Sequence, residues 1–170
     1  KNNKYCKIVM DSTLKFSDIV AARNTLKGVA KQTSIIHSKS FSQMSDANIF
    51  MKLENMQTTG AFKVRGAYNK LANLSPEERA KGVVAASAGN HAQGVAYACA
   101  KLEIKANIFM PKTTPKQKID QVRMFGREFV EITLAGDTFD DSAESALTYC
   151  EAEGRIFIHP FDDLDVMAGQ

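Results

Sequence analysis

The sequence predicts an α/β protein in which a parallel β-sheet is covered by helices on both faces. Four short apolar runs, at residues 83–86, 106–110, 129–134 and 156–158, have the composition of buried strands. One helical pattern lies between each run and the next. Because strands that are separated by single helices pair in parallel and are covered by those helices, the runs predict one parallel sheet.

Three elements are predicted at the start of the chain. Ser17 can cap a helix by accepting its first backbone N–H groups. The apolar residues that then fall on one helix face are Ile19, Ala22, Leu26 and Val29. Residues 49–53 have a strand pattern, and a second helix is predicted over residues 64–74.

Serine or threonine followed by proline marks the start of two later helices. Ser75, Pro76 and Glu78 form a capping-box pattern with proline at the first helical position. Thr114 and Pro115 repeat the device before a helix that continues to residue 125.

The C-terminal part predicts two more helices. Asp137 is the predicted cap of a helix over residues 138–153, which Gly154 ends. Residues 163–170 have the pattern of a helix start without a packing partner.

Composition and charge exclude two classes of partner. Of the 170 residues, 44% are hydrophobic and 24% are charged, and the formal net charge is +3. The basic residues are dispersed, so nucleic-acid binding is not indicated. No apolar run approaches the roughly 18 residues that a membrane span needs, and no signal peptide is recognised, so the predicted location is cytoplasmic. The odd number and wide spacing of Cys6, Cys99 and Cys150 predict reduced thiols and no metal cluster.

Lys63 lies in the most informative run of the chain, residues 58–67. A nucleophilic lysine must lose its proton, and an exposed lysine, with a pKa of about 10.4, is protonated at neutral pH. Burial beside Phe62 and a place in the first turn of a helix would both lower that pKa, because both disfavour the ammonium form. A single such lysine is more often a solvated helix residue, and it is the next run that favours a functional role.

A strand, turn and helix pattern follows at residues 83–102, with Ser87, Gly89 and Asn90 in the turn. In such a unit the free N–H groups of the helix start face any bound anion. Ser87 and Asn90 add side-chain donors, and Gly89 lacks the Cβ that would block close approach. A capped turn that binds nothing has the same local pattern, so the site hypothesis depends on both runs together.

Together the two runs resemble the threonine and serine dehydratases, which are pyridoxal-phosphate enzymes of the tryptophan-synthase-β-like group. The resemblance extends over residues 17–170 and includes residues 54–57, 110–111, 136–137 and 168–170. It implies the two-domain architecture of fold type II, with pyridoxal 5'-phosphate in the cleft between two α/β domains.

The resemblance also implies a domain division and a longer chain. Residues 1–64 would begin the large domain, residues 65–159 would form most of the small domain, and residues 160–170 would return to the large one. Family members bind the cofactor phosphate with a glycine-rich loop later in the chain, whereas all ten glycines here are isolated. The sequence is therefore expected to be the N-terminal part of an enzyme that forms a homodimer or homotetramer when full length.

The resemblance assigns roles to the residues of both runs. Lys63 would carry the cofactor and act as general base, Phe62 would pack by the pyridine ring, and Asn90 would bind the ring hydroxyl. The substrate carboxylate would be held by Ser87, Ala88, Gly89, Asn90 and His91. For His91, capping or packing is an alternative role. A candidate nucleotide-effector site comprises Thr58, Thr59 and Gln93, although a surface loop explains these three residues equally well.

The implied activity is β-elimination of L-threonine or L-serine, which gives 2-oxobutanoate or pyruvate with ammonia. A serine racemase is one alternative, but such enzymes resemble this sequence less at Ala88, where they have a second serine. A cysteine-synthase-like enzyme fits poorly at Val64 and His91, and a catalytically silent module would keep only the fold. Residues 54–57 look more like the catabolic dehydratases than the isoleucine-biosynthetic ones.

Overall fold

A computed structural model describes residues 13–170, and its N-terminal elements include a two-stranded ribbon. These elements are helix α1 (Phe16–Thr25), strand β1 (Ile35–His37), helix α2 (Lys39–Ser45) and strand β2 (Phe50–Lys52). β1 and β2 pair antiparallel, with Ile36 opposite Met51. The strand predicted at residues 49–53 is therefore present, but it belongs to a small sheet of its own.

Helix α1 begins differently from the prediction. Ser17 lies inside the helix, and Lys15 occupies the cap position. The Lys15 backbone N–H donates to the Asp18 carboxylate over 2.9 Å, so the acidic side chain fixes the start of the helix in place of the Ser17 hydroxyl. The predicted apolar face is also shorter, because Ala22 is buried whereas Ile19 is 44% exposed.

The remaining elements are two consecutive helices, followed by strands and helices in alternation. They are α3 (Lys63–Asn73), α4 (Pro76–Lys81), β3 (Val83–Ala86), α5 (Asn90–Leu102), β4 (Ala106–Met110), α6 (Lys116–Gly126), β5 (Val130–Leu134), α7 (Phe139–Glu153), β6 (Ile156–Phe157) and α8 (Leu164–Gly169). Short 3-10 turns occur at Glu54–Met56 and Arg127–Phe129. Every predicted element in this part of the chain is present, with small shifts at the ends.

The later strands form a four-stranded parallel sheet in the order β5, β4, β3, β6. From β3 the chain moves outward through β4 to β5 and then returns across the sheet to β6, which pairs with the free side of β3. The direction of winding therefore reverses between β3 and β6. In open α/β sheets, ligands bind in the crevice beyond the C-terminal ends of two such strands.

Side chains alternate along β3, so that each face of the sheet has its own core. Val83 and Ala85 pack with α3, α5 and α6, whereas Val84 and Ala86 pack with α7. All residues of β3 and β4 are buried, as expected of central strands between two helical layers. The prediction of a parallel sheet covered on both faces is confirmed.

Besides α1, helix caps differ from the prediction at two further positions. Ser75 forms the predicted capping box of α4. At α7, however, Thr138 is the cap in place of Asp137, because its hydroxyl accepts the Asp141 N–H over 3.2 Å. Thr114 caps nothing: its hydroxyl is buried and has no hydrogen-bond partner within residues 13–170.

Helix α8 packs against α3, so the expectation that residues 163–170 lack a packing partner is wrong. Gly169 and Gly66 permit this close contact. A Cβ on Gly169 would lie 2.6 Å from the Arg65 carbonyl oxygen, and a Cβ on Gly66 would lie 2.6 Å from the Val166 carbonyl oxygen. At both positions, glycine therefore lets the backbones of α3 and α8 come into direct contact.

Charged groups reinforce the same contact. Lys70 of α3 forms ion pairs with Asp163 at 3.0 Å and Asp165 at 3.1 Å. The Asn69 side-chain amide, which is buried, donates to the Asp165 carbonyl oxygen over 2.8 Å. Asp163 is also the cap of α8, since its carboxylate accepts the N–H groups of the first turn. The start of α8 is thus tied to α3 by several polar contacts.

Glu54 joins the N-terminal elements to α3. Its carboxylate accepts two hydrogen bonds from Arg65, at 2.8 and 2.9 Å, and one from the Thr33 hydroxyl at 2.6 Å. Gln57 extends the network by exchanging two hydrogen bonds with the Lys31 backbone. The hydrogen bonds from Arg65 lower the pKa of Glu54 to about 2, against the opposing effect of burial.

Two expectations from composition concern thiols and membranes. Cys99 and Cys150 are buried free thiols, and Cys6 lies outside the described residues. Burial raises the pKa of the Cys99 thiol, so that group stays protonated at neutral pH. None of the helices within residues 13–170 has the length and apolarity that crossing a membrane requires.

We expect Gly169→Ala to lower the free energy of unfolding by about 1–3 kcal/mol, because the new methyl group overlaps the Arg65 carbonyl oxygen. Gly89→Ala is the matched control, since a Cβ there meets no atom within 4 Å. Urea denaturation of both variants measures the effect. Equal losses in the two variants would contradict the close packing of α3 and α8.

We expect Glu54→Gln to lower the free energy of unfolding at pH 7 by about 1.5–3 kcal/mol, the range for hydrogen bonds to charged groups. The pKa of Glu54 is about 2 in the folded chain and 4.5 ordinarily, so its stabilising effect is complete above pH 4.5. The effect is lost as the pH falls toward 2. Urea titrations of both proteins across this range should therefore converge in acid, and a constant difference would argue against the assignment.

Candidate functional site

The turn that precedes α5 presents backbone N–H groups without partners. Gln93 is the first residue of α5 whose N–H bonds to a backbone carbonyl, that of Gly89 at 3.3 Å. In the described part of the chain, the N–H groups of Asn90, His91 and Ala92 make no such bond, as is typical of a first helical turn. These three donors lie at the C-terminal end of β3, where the topology predicts a ligand crevice.

Ser87 and Gly89 shape the same turn. The Gly89 N–H donates to the Ser87 hydroxyl oxygen over 3.2 Å, which leaves the hydroxyl proton available to a ligand. No heavy atom lies within 4 Å of a Cβ built on Gly89, so the space beside the turn is open. The Asn90 side chain is exposed to solvent. The turn is thus accessible and rich in donors.

Lys63 is the first residue of α3, and its amine is partly buried. Nζ donates to the Pro160 carbonyl oxygen over 2.6 Å and to Gln170 Oε1 over 3.2 Å. It lies 5.3 Å from the centre of the Phe62 ring. Burial lowers the pKa of Lys63, which is the direction that a nucleophilic amine requires.

Gly94 brings the two runs together. A Cβ on Gly94 would lie 3.1 Å from the carbonyl group of Lys63, so the backbones of α5 and α3 touch at this point. Gly94 is about one helical turn beyond Asn90. The start of α3 and the start of α5 are therefore neighbours, and the lysine and the donor-bearing turn belong to one region of the molecule.

The His91 ring is buried, with 4% of its surface exposed. Its Nε2 lies 3.0 Å from the Ile158 carbonyl oxygen, and because a carbonyl only accepts, Nε2 carries the proton. Nδ1 is then unprotonated and carries a lone pair, for which residues 13–170 offer no hydrogen-bond donor. Burial lowers the pKa of His91 to about 4, so the ring is neutral at pH 7. The donor that His91 can offer to an anion is its backbone N–H.

The loop that follows β6 was missed by the sequence analysis, although it contacts both runs. Its Ile158 carbonyl holds the His91 ring, and its Pro160 carbonyl holds the Lys63 amine. The pairing of β6 with β3 places this loop beside the donor-bearing turn. The local sequence carries no signal for that pairing, because it depends on which edge of the sheet the chain returns to.

His159 lies between these two carbonyl groups and faces a cavity. Its Nδ1 accepts the backbone N–H groups of Phe161 and Asp162, over 3.3 and 2.7 Å, so its proton is on Nε2. Burial lowers the pKa of His159. The cavity has a volume of about 240 Å³ and is lined by Ala86, Phe139, Asp140, Ala143, Phe157, His159, Pro160, Phe161 and Asp162.

Each of the three candidate effector residues has its own hydrogen bonds or exposure. The buried Thr59 hydroxyl donates to the Ala61 carbonyl oxygen over 3.4 Å, and the buried Gln93 amide donates to Gln121 of α6 over 3.0 Å. Thr58 is exposed. Within residues 13–170, no hydrogen bond joins any two of the three.

The arrangement fits pyridoxal phosphate at its aldehyde and ring. Lys63 supplies a primary amine whose pKa is lowered by burial, as bonding to an aldehyde requires. The Phe62 ring beside it is 42% exposed and can pack against an aromatic ligand. The open space at Gly89 and the exposed Asn90 amide offer room and a donor for the ring hydroxyl.

Comparison with known sequences agrees with this geometry. The biosynthetic L-threonine dehydratase of Bacillus subtilis (strain 168) is 51% identical over 160 residues, which cover 94% of this chain and 38% of that protein. The chain thus spans well under half the length of this curated relative.

Two solved structures share the fold. The processed form of threonine deaminase isoform 2 from Solanum lycopersicum has a TM-score of 0.81 and 43% identity, covering 90% of this chain and 41% of its own. Maize serine racemase has a TM-score of 0.85 and 30% identity, covering 93% of this chain and 47% of its own. Residues 26–170, which include Lys63 and the donor-bearing turn, match the family described as pyridoxal-phosphate dependent enzyme, and the chain belongs to that family.

Proposed function

We propose that the whole protein is a pyridoxal-phosphate-dependent L-threonine ammonia-lyase that also accepts L-serine. The products are 2-oxobutanoate or pyruvate, with ammonia. The observation that carries the proposal is the partly buried Lys63 amine beside a turn whose N–H groups are free. The 51% identity to a biosynthetic L-threonine dehydratase supports the substrate.

Lys63 has two tasks in this proposal. It holds the cofactor through Nζ in the resting enzyme, and its free amine removes the proton from the substrate α-carbon. Bound pyridoxal phosphate supplies an electron sink for the charge left at that carbon. The Pro160 carbonyl, which is 2.6 Å from Nζ, orients the amine. Phe62 packs by the cofactor ring, and Asn90 donates to the ring hydroxyl.

The donor-bearing turn binds the substrate carboxylate. The residues that we assign to this contact are Ser87, Ala88, Gly89, Asn90 and His91. Free backbone N–H groups at a helix start and the Ser87 hydroxyl are suited to a carboxylate. The His91 ring, which is neutral and bonded to Ile158, fixes the turn against the loop that also holds Lys63.

The physiological role that we propose is biosynthetic. The relatives near 50% identity include several named as biosynthetic L-threonine dehydratases, which favours isoleucine formation over the catabolic role suggested by residues 54–57. In the structure, Glu54 and Gln57 hold α3 to the N-terminal elements. That structural role accounts for both residues without reference to metabolism.

The wider organisation is also a proposal. Residues 1–64 would belong to a large domain, residues 65–159 to a small domain, and residues 160–170 to the large domain again. Helix α8 packs both on α1, which lies within residues 1–64, and on α3, which spans the proposed boundary. We further propose a cytoplasmic homo-oligomer, with a nucleotide-effector site that includes Thr58, Thr59 and Gln93.

Serine racemase is the rival activity, because the maize enzyme shares the fold at 30% identity. Racemisation needs a proton donor on the face opposite Lys63. Racemases have a second serine at the position of Ala88. The Ala88 side chain has no ionisable group. Elimination needs no such donor, so Ala88 favours the ammonia-lyase.

In the full-length enzyme, Lys63→Ala is expected to remove the visible absorbance of lysine-bound cofactor and to lower turnover by at least about 10³-fold. Ketoacid release and absorbance spectra measure the two effects. The control is Lys118→Ala, which alters an exposed lysine on α6. Activity of Lys63→Ala near that of the control would refute the role of Lys63.

The unmodified enzyme is expected to release ketoacid from L-serine and to form D-serine only at background level, because Ala88 cannot deliver a proton. Ala88→Ser should raise racemisation from that low base without abolishing elimination. Chiral chromatography of serine, run alongside ketoacid assays, distinguishes the two reactions. Abundant D-serine from the unmodified enzyme would favour the racemase.

A further inference from the structure

The cavity of about 240 Å³ on the α7 side of the sheet has no role in the reaction as described so far. We infer that it is the side-chain subsite of the substrate, which receives the apolar β-substituent and favours threonine over serine. The inference rests on the proposed ammonia-lyase function, since it assigns a further part of the same site.

Two walls of the cavity are continuous with the candidate site. Ala86, the last residue of β3, precedes Ser87 of the carboxylate-binding turn. Pro160 lines the cavity and its carbonyl oxygen lies 2.6 Å from Lys63 Nζ. A substrate that lies between the turn and the lysine is therefore next to the mouth of the cavity.

The stereochemistry of an amino acid leaves one substituent for this space. The carboxylate is directed to the turn, the amine to the cofactor and the α-hydrogen to Lys63 in the proposed reaction. The fourth bond of the α-carbon carries the side chain. Because the cavity adjoins both the turn and the loop that holds Lys63, it is placed to receive that fourth group.

Most of the lining is apolar and suits an alkyl group, and Asp140, His159 and Asp162 are its polar members. Ala86 and Ala143 are small and buried, so they leave space, whereas Phe139 and Phe161 are 51% and 65% exposed. Exposed aromatic rings around a concave space are typical of ligand sites. The His159 ring, by accepting the N–H groups of the residues that follow Pro160, holds this wall in one conformation.

The volume exceeds the needs of one methyl group. The cavity, at about 240 Å³, is larger than an engineered cavity of roughly 150 Å³ that binds benzene. Longer unbranched side chains should therefore enter as well. Binding of these longer side chains distinguishes a side-chain pocket from a surface that merely tolerates threonine.

Binding of unreactive amino acids to the full-length holoenzyme gives the first test. L-alanine, L-2-aminobutanoate and L-norvaline lack a β-hydroxyl and differ by successive CH₂ groups. We expect the affinity to rise about 4-fold per CH₂, the change that burial of one such group gives. Titration of the bound-cofactor absorbance measures each affinity. Equal affinities for the three compounds would overturn the inference.

Variants that change the cavity in opposite directions give the second test. Ala143→Leu fills it and should lower kcat/KM for threonine by about 10-fold or more, with a change below about 3-fold for serine. Phe139→Ala enlarges it and should lower the threonine to serine ratio by about 5-fold. Phe41→Ala is the control, because Phe41 is 52% exposed and lies on α2, outside the cavity.

The outcomes distinguish the subsite from the activity itself. Parallel changes for threonine and serine in both cavity variants would overturn the subsite and leave the ammonia-lyase intact. If the parent enzyme deaminates neither substrate, the proposed function fails, and the series of unreactive amino acids still decides the subsite. Phe139 is exposed, so its variant remains informative if Ala143→Leu does not fold.

Discussion

The pairing of β6 with β3 is the interaction on which the candidate site depends. The Ile158 N–H donates to the Val84 carbonyl oxygen over 2.8 Å and places the following loop at the C-terminal end of β3. Two carbonyl groups of that loop then fix the two runs, Ile158 through His91 and Pro160 through Lys63. Without this pairing, the link between the lysine and the donor-bearing turn within residues 13–170 would be the contact between α3 and α5.

Close backbone contacts provide the second constraint. Helix α3 is held between α5 and α8, and glycine occupies the contact positions on all three helices: Gly66, Gly94 and Gly169. A helix surface without a Cβ allows axes to approach closely, which brings the first residue of α3 beside the first turn of α5. The position of Lys63 is thus set by residues that have no chemistry of their own.

Local patterns predicted most of the fold and only part of the site. Alternation of apolar runs with capped helices was sufficient for β3 to β6, because each element is specified by its own residues. The partner of α8 and the antiparallel ribbon were not predictable, since they depend on contacts between distant segments. For the same reason Lys63 and Ser87 were recognised as candidates, whereas Ile158, His159 and Pro160 were not.

The shortness of β6 has a consequence for how the site is assembled. This strand has two residues and lies at the edge of the sheet, so few hydrogen bonds oppose its local opening. Release of that edge would free the acceptors of Lys63 and of His91 in the same event. The Lys63 amine and the donor-bearing turn therefore lose a shared support together when this short ladder of backbone hydrogen bonds opens.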